Sequence, residues 1–179
     1  LKKAFYSEEV LVAFGILNKL VKRSFDDDLL SRFEYWLEHY ASNWGHVDDL
    51  CIKTIYQFFL SRTHLIETIQ PWSKSKVPWC RRASNVAWVK FIKRPIGSNT
   101  YFLNKALVFE NCDFLMSDKH IYVQKSIGWL LKVTAKHHEG DVLHYLRTNA
   151  KYMKRSTVRY ALEKVSKESR ERVLSKACS

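Results

Sequence analysis

Tyr122-Val123-Gln124-Lys125-Ser126-Ile127-Gly128-Trp129-Leu130-Leu131-Lys132 is the stretch whose periodicity decides the fold class. Val123, Ile127, Leu130 and Leu131 recur at the three- and four-residue intervals of one helix face. Lys125, Trp129, Lys132 and Lys136 follow at i, i+4, i+7 and i+11 along the opposite face. A strand would alternate by two, and this run does not. The helical period recurs on both sides of it. Upstream, Ser7 is expected to cap a helix opened by Glu8 and Glu9, with Val10, Phe14, Leu17 and Val21 on one face. Asp26 to Asp28 suit the start of a second helix bearing Leu30, Phe33, Leu37 and Tyr40, and Ser42 or Asn43 caps a third through Val47, Leu50, Ile55 and Phe58. A short helix around His64 to Ile69 stops before Pro71, and Pro78, tolerated in a first turn, opens one that runs to about Lys93. Pro95, Gly97 and Ser98 mark a break. Further helices are expected over Tyr101 to Cys112, over Lys119 to Lys136 behind a Ser117 or Asp118 cap, and over Glu139 to Thr148, Ser156 to Val165 and Glu168 to Lys176.

Composition agrees. Five Gly and three Pro among 179 residues are few against an average of roughly 12%, which leaves little room for a strand-rich sandwich or barrel. The expected architecture is therefore all-α: a superhelical stack of antiparallel helix pairs of the HEAT-like or ARM-like type, forming a single domain over residues 1–179. A globular helical bundle is the competing arrangement. The chain begins with Leu1 rather than Met, so part of the natural N-terminus is expected to be absent.

Several function classes are excluded or disfavoured. No two glycines stand in a GxG spacing, so neither a dinucleotide fingerprint nor a phosphate-binding P-loop can be written. No GxSxG elbow is present, and no run approaches the roughly 20 apolar residues of a membrane span. Cys51, Cys80, Cys112 and Cys178 are isolated, without a CxxC pair, and the seven histidines form no HExxH or HxH spacing. No metal and no cofactor are expected, and the cysteines read as reduced thiols of a cytoplasmic, monomeric protein without membrane contact. Thirty Lys and Arg against 18 Asp and Glu give +12, a balance that asks for an acidic partner, most commonly nucleic acid.

Four segments can carry chemistry. Trp44 and Asp48 lie one turn apart at the start of a helix, where an indole above a carboxylate is unusual for a core. The plainer reading is a carboxylate favoured by the helix dipole and an indole packed as a staple. Arg81 and Arg82 occupy the first turns of a helix, where cations oppose the dipole by about 0.3–1 kcal/mol each. They point to an anion, either a phosphate or a carboxylate on a neighbouring helix, or else are ordinary solvated arginines packed on Trp79. Trp129 among Lys125, Lys132 and Lys136 suits a sugar or base flanked by phosphates, and Gly128 beside it permits close backbone approach. Finally, Ser156 caps a helix with Arg159 on its first turn, preceded by Lys151, Lys154 and Arg155.

Taken together, Trp44-x-x-x-Asp48, Trp79-x-x-Arg82-Ala83, the run Val123 to Lys132, and Ser156-Thr157-Val158-Arg159-Tyr160-Ala161 resemble the AlkD family of DNA alkylation repair glycosylases over roughly residues 30 to 165. The segment Gln124 to Trp129 is the most specific part. The resemblance implies a stack of HEAT-like repeats that holds double-stranded DNA containing alkylated bases. It implies hydrolysis of the N-glycosidic bond of positively charged N3- or N7-alkylated purines. Asp48 would be the catalytic carboxylate, Trp44 and Trp129 the aromatic walls beside the deoxyribose, and Arg82 a phosphate holder that also positions the site. Arg81, Lys125, Lys132, Lys136 and Arg159 are the accompanying DNA-binding expectations. The family's further aromatic from an N-terminal repeat has no counterpart, and the segment 95–118 is longer than the family needs. A catalytically silent relative that recognises bent or branched DNA, and a HEAT-type protein-interaction scaffold, are the alternatives.

Overall fold

The apolar stripe of the first helix builds the first core. In the computed structural model, which describes residues 6–22 and 25–176, α1 (Ser7–Leu20) buries Val10 and Phe14, and Val21 follows them inward. Ser7 does not cap this helix. Tyr6 holds the N-cap position, and its N–H donates to Glu9 Oε2 at 2.9 Å. Then come α2 (Leu29–His39) and α3 (Trp44–Asp49). The Asn43 side chain caps α3 by accepting the His46 N–H at 3.0 Å, as the capping rule expects. Beyond Asp49 the chain stays helical through a π-helical stretch, Leu50–Ile55, into α4 (Tyr56–Leu60). That length buries Val47, Leu50, Ile55 and Phe58 together, with Phe33 edge-on to Phe58 at 5.4 Å.

The expected stop before Pro71 does not occur. A 3-10 turn, Glu67–Lys74, passes through Pro71 because Ile69 and Trp72 on either side of it are both buried. The helix expected from Pro78 to Lys93 is also shorter: α5 spans Pro78–Val86. Trp88, Phe91 and Ile92 are all buried, and Trp88 Nε1 donates to the Ile66 carbonyl at 2.6 Å, so tertiary burial turns the chain out of its helix. What had read as a plain break is a hairpin. Strand β1 (Lys93–Ile96) pairs antiparallel with β2 (Asn99–Phe102) in the register Ile96 opposite Asn99. Gly97 at φ +59° supplies the left-handed residue that a two-residue hairpin turn requires.

The later helices are α6 (Lys105–Leu115), α7 (Ile121–Asn149), α8 (Arg155–Ala161) and α9 (Lys167–Lys176). The two helices expected either side of residues 137 and 138 are one element, α7, interrupted at His138 by non-helical φ −139°, ψ 48°. Lys154, not Ser156, is the N-cap of α8. The chain divides into two units, Leu1–Lys90 and Phe91–Ser179, and the small hairpin belongs to the second. The class is all-α.

Two residues of the opening stretch join α7 to its neighbours. Buried Gln124 donates from Nε2 to the carbonyls of Leu115 (3.2 Å), Met116 (2.9 Å) and Asp118 (2.9 Å), and its Oε1 accepts from Thr157 Oγ1 at 2.9 Å. One amide thus ties the end of α6 and the turn after it to Thr157 of α8. Gly128 is the second. A Cβ there would lie 2.8 Å from Tyr160 Cδ1 and 3.0 Å from the Thr157 carbonyl oxygen, so only glycine allows α8 to sit this close. The close approach foreseen at Gly128 is to a helix of the same unit. Val123, Ile127, Leu131, Leu146, Val158 and Leu162 fill the core around it.

Candidate active site

In Leu1–Lys90 the α3 carboxylate meets a guanidinium of α5. Arg82 donates from Nε to Asp48 Oδ1 at 2.9 Å and from Nη2 to Oδ2 at 2.8 Å, a bidentate fork. The side chains are 6% and 15% exposed respectively. Of the two anions that could face Arg82, the structure supplies the carboxylate on a neighbouring helix. Nε and Nη2 of Arg82 thus lie on Asp48, and the residue is buried. Trp44 opens α3 one turn before Asp48 on the same helix face, and at 49% exposure it is not a packed staple. Half an indole is thus presented to solvent beside an acid whose two oxygens are fixed. Arg81, next to Arg82, turns back onto its own loop, with Nη1 donating to the Ser75 and Lys76 carbonyls at 2.9 Å each. That local use accounts for a cation in the first turn of α5.

Several residues that shape this site left no signal in the sequence. His46, buried between Trp44 and Asp48, accepts the Ser42 N–H on Nδ1 at 3.3 Å and shares Nε2 with Ser7 Oγ at 2.6 Å. It thereby ties the start of α1 to the turn that carries Trp44. Asp49 pairs with Lys53, which leaves Asp48 as the carboxylate that faces Arg82. Cys51 is buried near the fork. Burial holds its thiol well above the ordinary value, the Asp48 charge adds to that, and Arg82 opposes it. Cys80 is pushed up to about 12 by burial first and then by Glu34. Among the described residues, Glu34, Glu38 and Cys80 form the one group of ligand atoms within 4.8 Å of one another that could hold a metal ion.

In Phe91–Ser179 the expected basic stripe is uneven. Trp129 is half-buried on α7, while Lys125 and Lys136 are exposed, with Lys125 Nζ 5.1 Å from the Tyr122 ring centroid. Lys132 is engaged: its Nζ donates to Glu163 Oε2 at 3.1 Å and lies 4.0 Å from the Tyr160 ring centroid. Burial pulls that ammonium down, but the bonds to Tyr160 and Glu163 outweigh it and hold Lys132 above the ordinary lysine value. Arg159 is exposed on α8. Asp48, Trp44, Arg82 and Arg81 therefore belong to the first unit, and Trp129, Lys125, Lys132, Lys136 and Arg159 to the second.

A family model described as DNA alkylation repair enzyme matches residues 1–165. The chain belongs to the DNA alkylation repair enzyme family. Among solved structures it is similar to a predicted DNA alkylation repair enzyme from Enterococcus faecalis, at TM-score 0.77 and 18% identity over 92% of this chain and 72% of that one. It is also similar to the Pseudomonas fluorescens alkylpurine DNA glycosylase AlkC bound to DNA containing an abasic site analog. There the TM-score is 0.53 and the identity 18%, over 97% of this chain and 51% of that one, so the chain spans about half of the AlkC chain. At these identities the likeness is one of fold. No curated protein sequence matches the chain significantly. Among the described residues no helix of this DNA alkylation repair family member is long and apolar enough to cross a membrane.

Proposed function

We propose that the chain is a DNA glycosylase that hydrolyses the N-glycosidic bond of cationic N3- or N7-alkylated purines in duplex DNA. The observation that supports this most is the Asp48–Arg82 fork beside half-exposed Trp44. An alkylated purine of this kind already carries a positive charge and departs as a neutral base, so no general acid is needed. Charge instead develops on the sugar. A carboxylate held in one orientation stabilises that charge without reorganising, and an aromatic face adds about 0.5–2 kcal/mol of cation–π attraction. Arg82 acts here as a positioning residue: by occupying both oxygens of Asp48 it sets the direction in which the acid presents its remaining lone pairs, and those pairs can also orient the attacking water. The fold shared with the alkylpurine DNA glycosylase AlkC, solved bound to DNA containing an abasic site analog, is in keeping with this reading. Trp129 carries its assignment as a second aromatic wall by resemblance alone.

Purified Asp48→Asn protein tests the proposal. Release of 7-methylguanine from methylated duplex is expected to fall by on the order of 10²- to 10³-fold, with affinity for the same duplex nearly unchanged. Undiminished release would overturn the assignment of Asp48. No release by the unmodified protein would leave a silent DNA-binding relative in its place.

A further inference from the structure

The chain's formal charge of +12 is unevenly divided. Leu1–Lys90 holds thirteen Lys and Arg against ten Asp and Glu, a net +3, whereas Phe91–Ser179 holds seventeen against eight, a net +9. Within the second unit, part of that excess collects where the start of α7 meets the run into α8. Lys154 Nζ reaches the Lys119 carbonyl at 3.2 Å, and Thr157 holds Gln124 at 2.9 Å, so the start of α7 and the run into α8 lie against each other. Lys119, Lys125, Lys151, Lys154 and Arg155 are exposed on these segments, and among the described residues none of the five is paired with a carboxylate. The nearest acid in sequence, Asp118, accepts the His120 N–H. Aromatic side chains are interleaved with the cations: Lys125 over Tyr122, and Lys151 Nζ 4.8 Å from the ring centroid of Tyr152, itself 60% exposed. Exposed, unneutralised ammonium groups repel one another, and an interleaved polyanion removes that repulsion.

We propose that this end of the second unit is a backbone anchor for duplex DNA, gripping phosphates through Lys119, Lys125, Lys151, Lys154 and Arg155 whether or not a damaged base is present. The inference rests on the reading of the chain as a DNA-acting protein, but not on the chemistry of Asp48. It moves the main electrostatic contact away from Lys132, which Glu163 already holds, toward the start of α7. Phosphate contacts position without reading sequence, so the anchor is indifferent to base identity.

The test is fluorescence anisotropy of an undamaged, labelled duplex with the full chain across a series of salt concentrations. One variant carries Lys119→Gln, Lys151→Gln, Lys154→Gln and Arg155→Gln. A control carries the same change of charge in the first unit, Lys19→Gln, Lys22→Gln, Lys74→Gln and Lys76→Gln. These side chains are exposed, so both proteins are expected to keep the unmodified unfolding midpoint within a few degrees. Each lost phosphate contact should flatten the slope of log K against log salt by about 0.9, so the first variant loses roughly 3 to 4 and the control little. Unchanged binding by the first variant, or an equal loss in both, would overturn the anchor. If unmodified protein releases no alkylated base while the first variant still loses its slope, the anchor stands and the glycosylase reading falls. Release together with unchanged binding gives the opposite result.

Discussion

In Leu1–Lys90 Arg82 is buried with a fork of N–H groups on Asp48, whereas in Phe91–Ser179 five cations stand exposed and, among the described residues, unpaired with any carboxylate. The two arrangements obey different physics. A buried pair is costly to desolvate and gains little net stability, but it fixes where a charge sits. Exposed cations fix nothing, and they attract a polyanion in proportion to the counterions it releases. The second unit gets its internal precision instead from neutral groups, the Gln124 amide and the missing side chain of Gly128. Under the two proposals, orientation and attraction fall to different halves of the chain.

That contrast can be broken at several points. The largest expected effect is at Arg82→Ala, which leaves Asp48 without its partner. Urea unfolding should show a loss of about 3 kcal/mol, the low end for breaking a buried pair, since Asp48 keeps 15% exposure. A loss under about 1 kcal/mol would mean the fork behaves as a surface ion pair. Next comes Gly128→Ala, in which the added methyl meets a backbone oxygen that cannot yield cheaply. The expected cost is about 1–3 kcal/mol from overpacking, against a gain of at most roughly 1 kcal/mol in helix propensity. A stabilised variant would show that α8 is not pinned by this contact. The smallest effect concerns Glu34, which burial first, and then the charge of Glu38, holds above the ordinary glutamate value. A carboxyl raised in the folded state is penalised at neutral pH, and the penalty vanishes as pH falls below the unfolded value. Glu34→Gln should therefore gain about 0.5 kcal/mol at pH 7, discounted for solvent exposure, and nothing near pH 3. Equal gains at both pH values would detach the effect from ionisation.

Much of the helical order was legible because burial on one face writes a period into the sequence. Val10 and Phe14, Phe33 and Leu37, and Val123 and Ile127 are buried as their spacing implies. Failures cluster where one signal stood for two structures. Gly97 and Pro95 read as a helix break and are a hairpin, because a two-residue turn and a loop use the same residue types. Trp88 and Phe91 continued a helical pattern in sequence, yet tertiary burial bends the chain there. Ser7 and Ser156 looked like caps, but Ser7 faces His46 from inside the first turn. At the candidate site, residue types were legible and partners were not. Nothing in the spacing between positions 48 and 82 distinguishes a carboxylate from a phosphate as the anion facing Arg82. The roles of His46 and Gln124 were invisible, since each depends on carbonyls and hydroxyls that any sequence provides.

The placement of Cys51 has a consequence for a protein whose family deals with alkylated DNA. Methylating electrophiles react with thiolates far faster than with neutral thiols. The sulfur beside the Asp48–Arg82 fork is sealed from solvent and kept protonated by its surroundings. The same reagents that damage a genome would therefore find no soft nucleophile at the heart of this site, and the protein could remain serviceable during the exposure that calls for it.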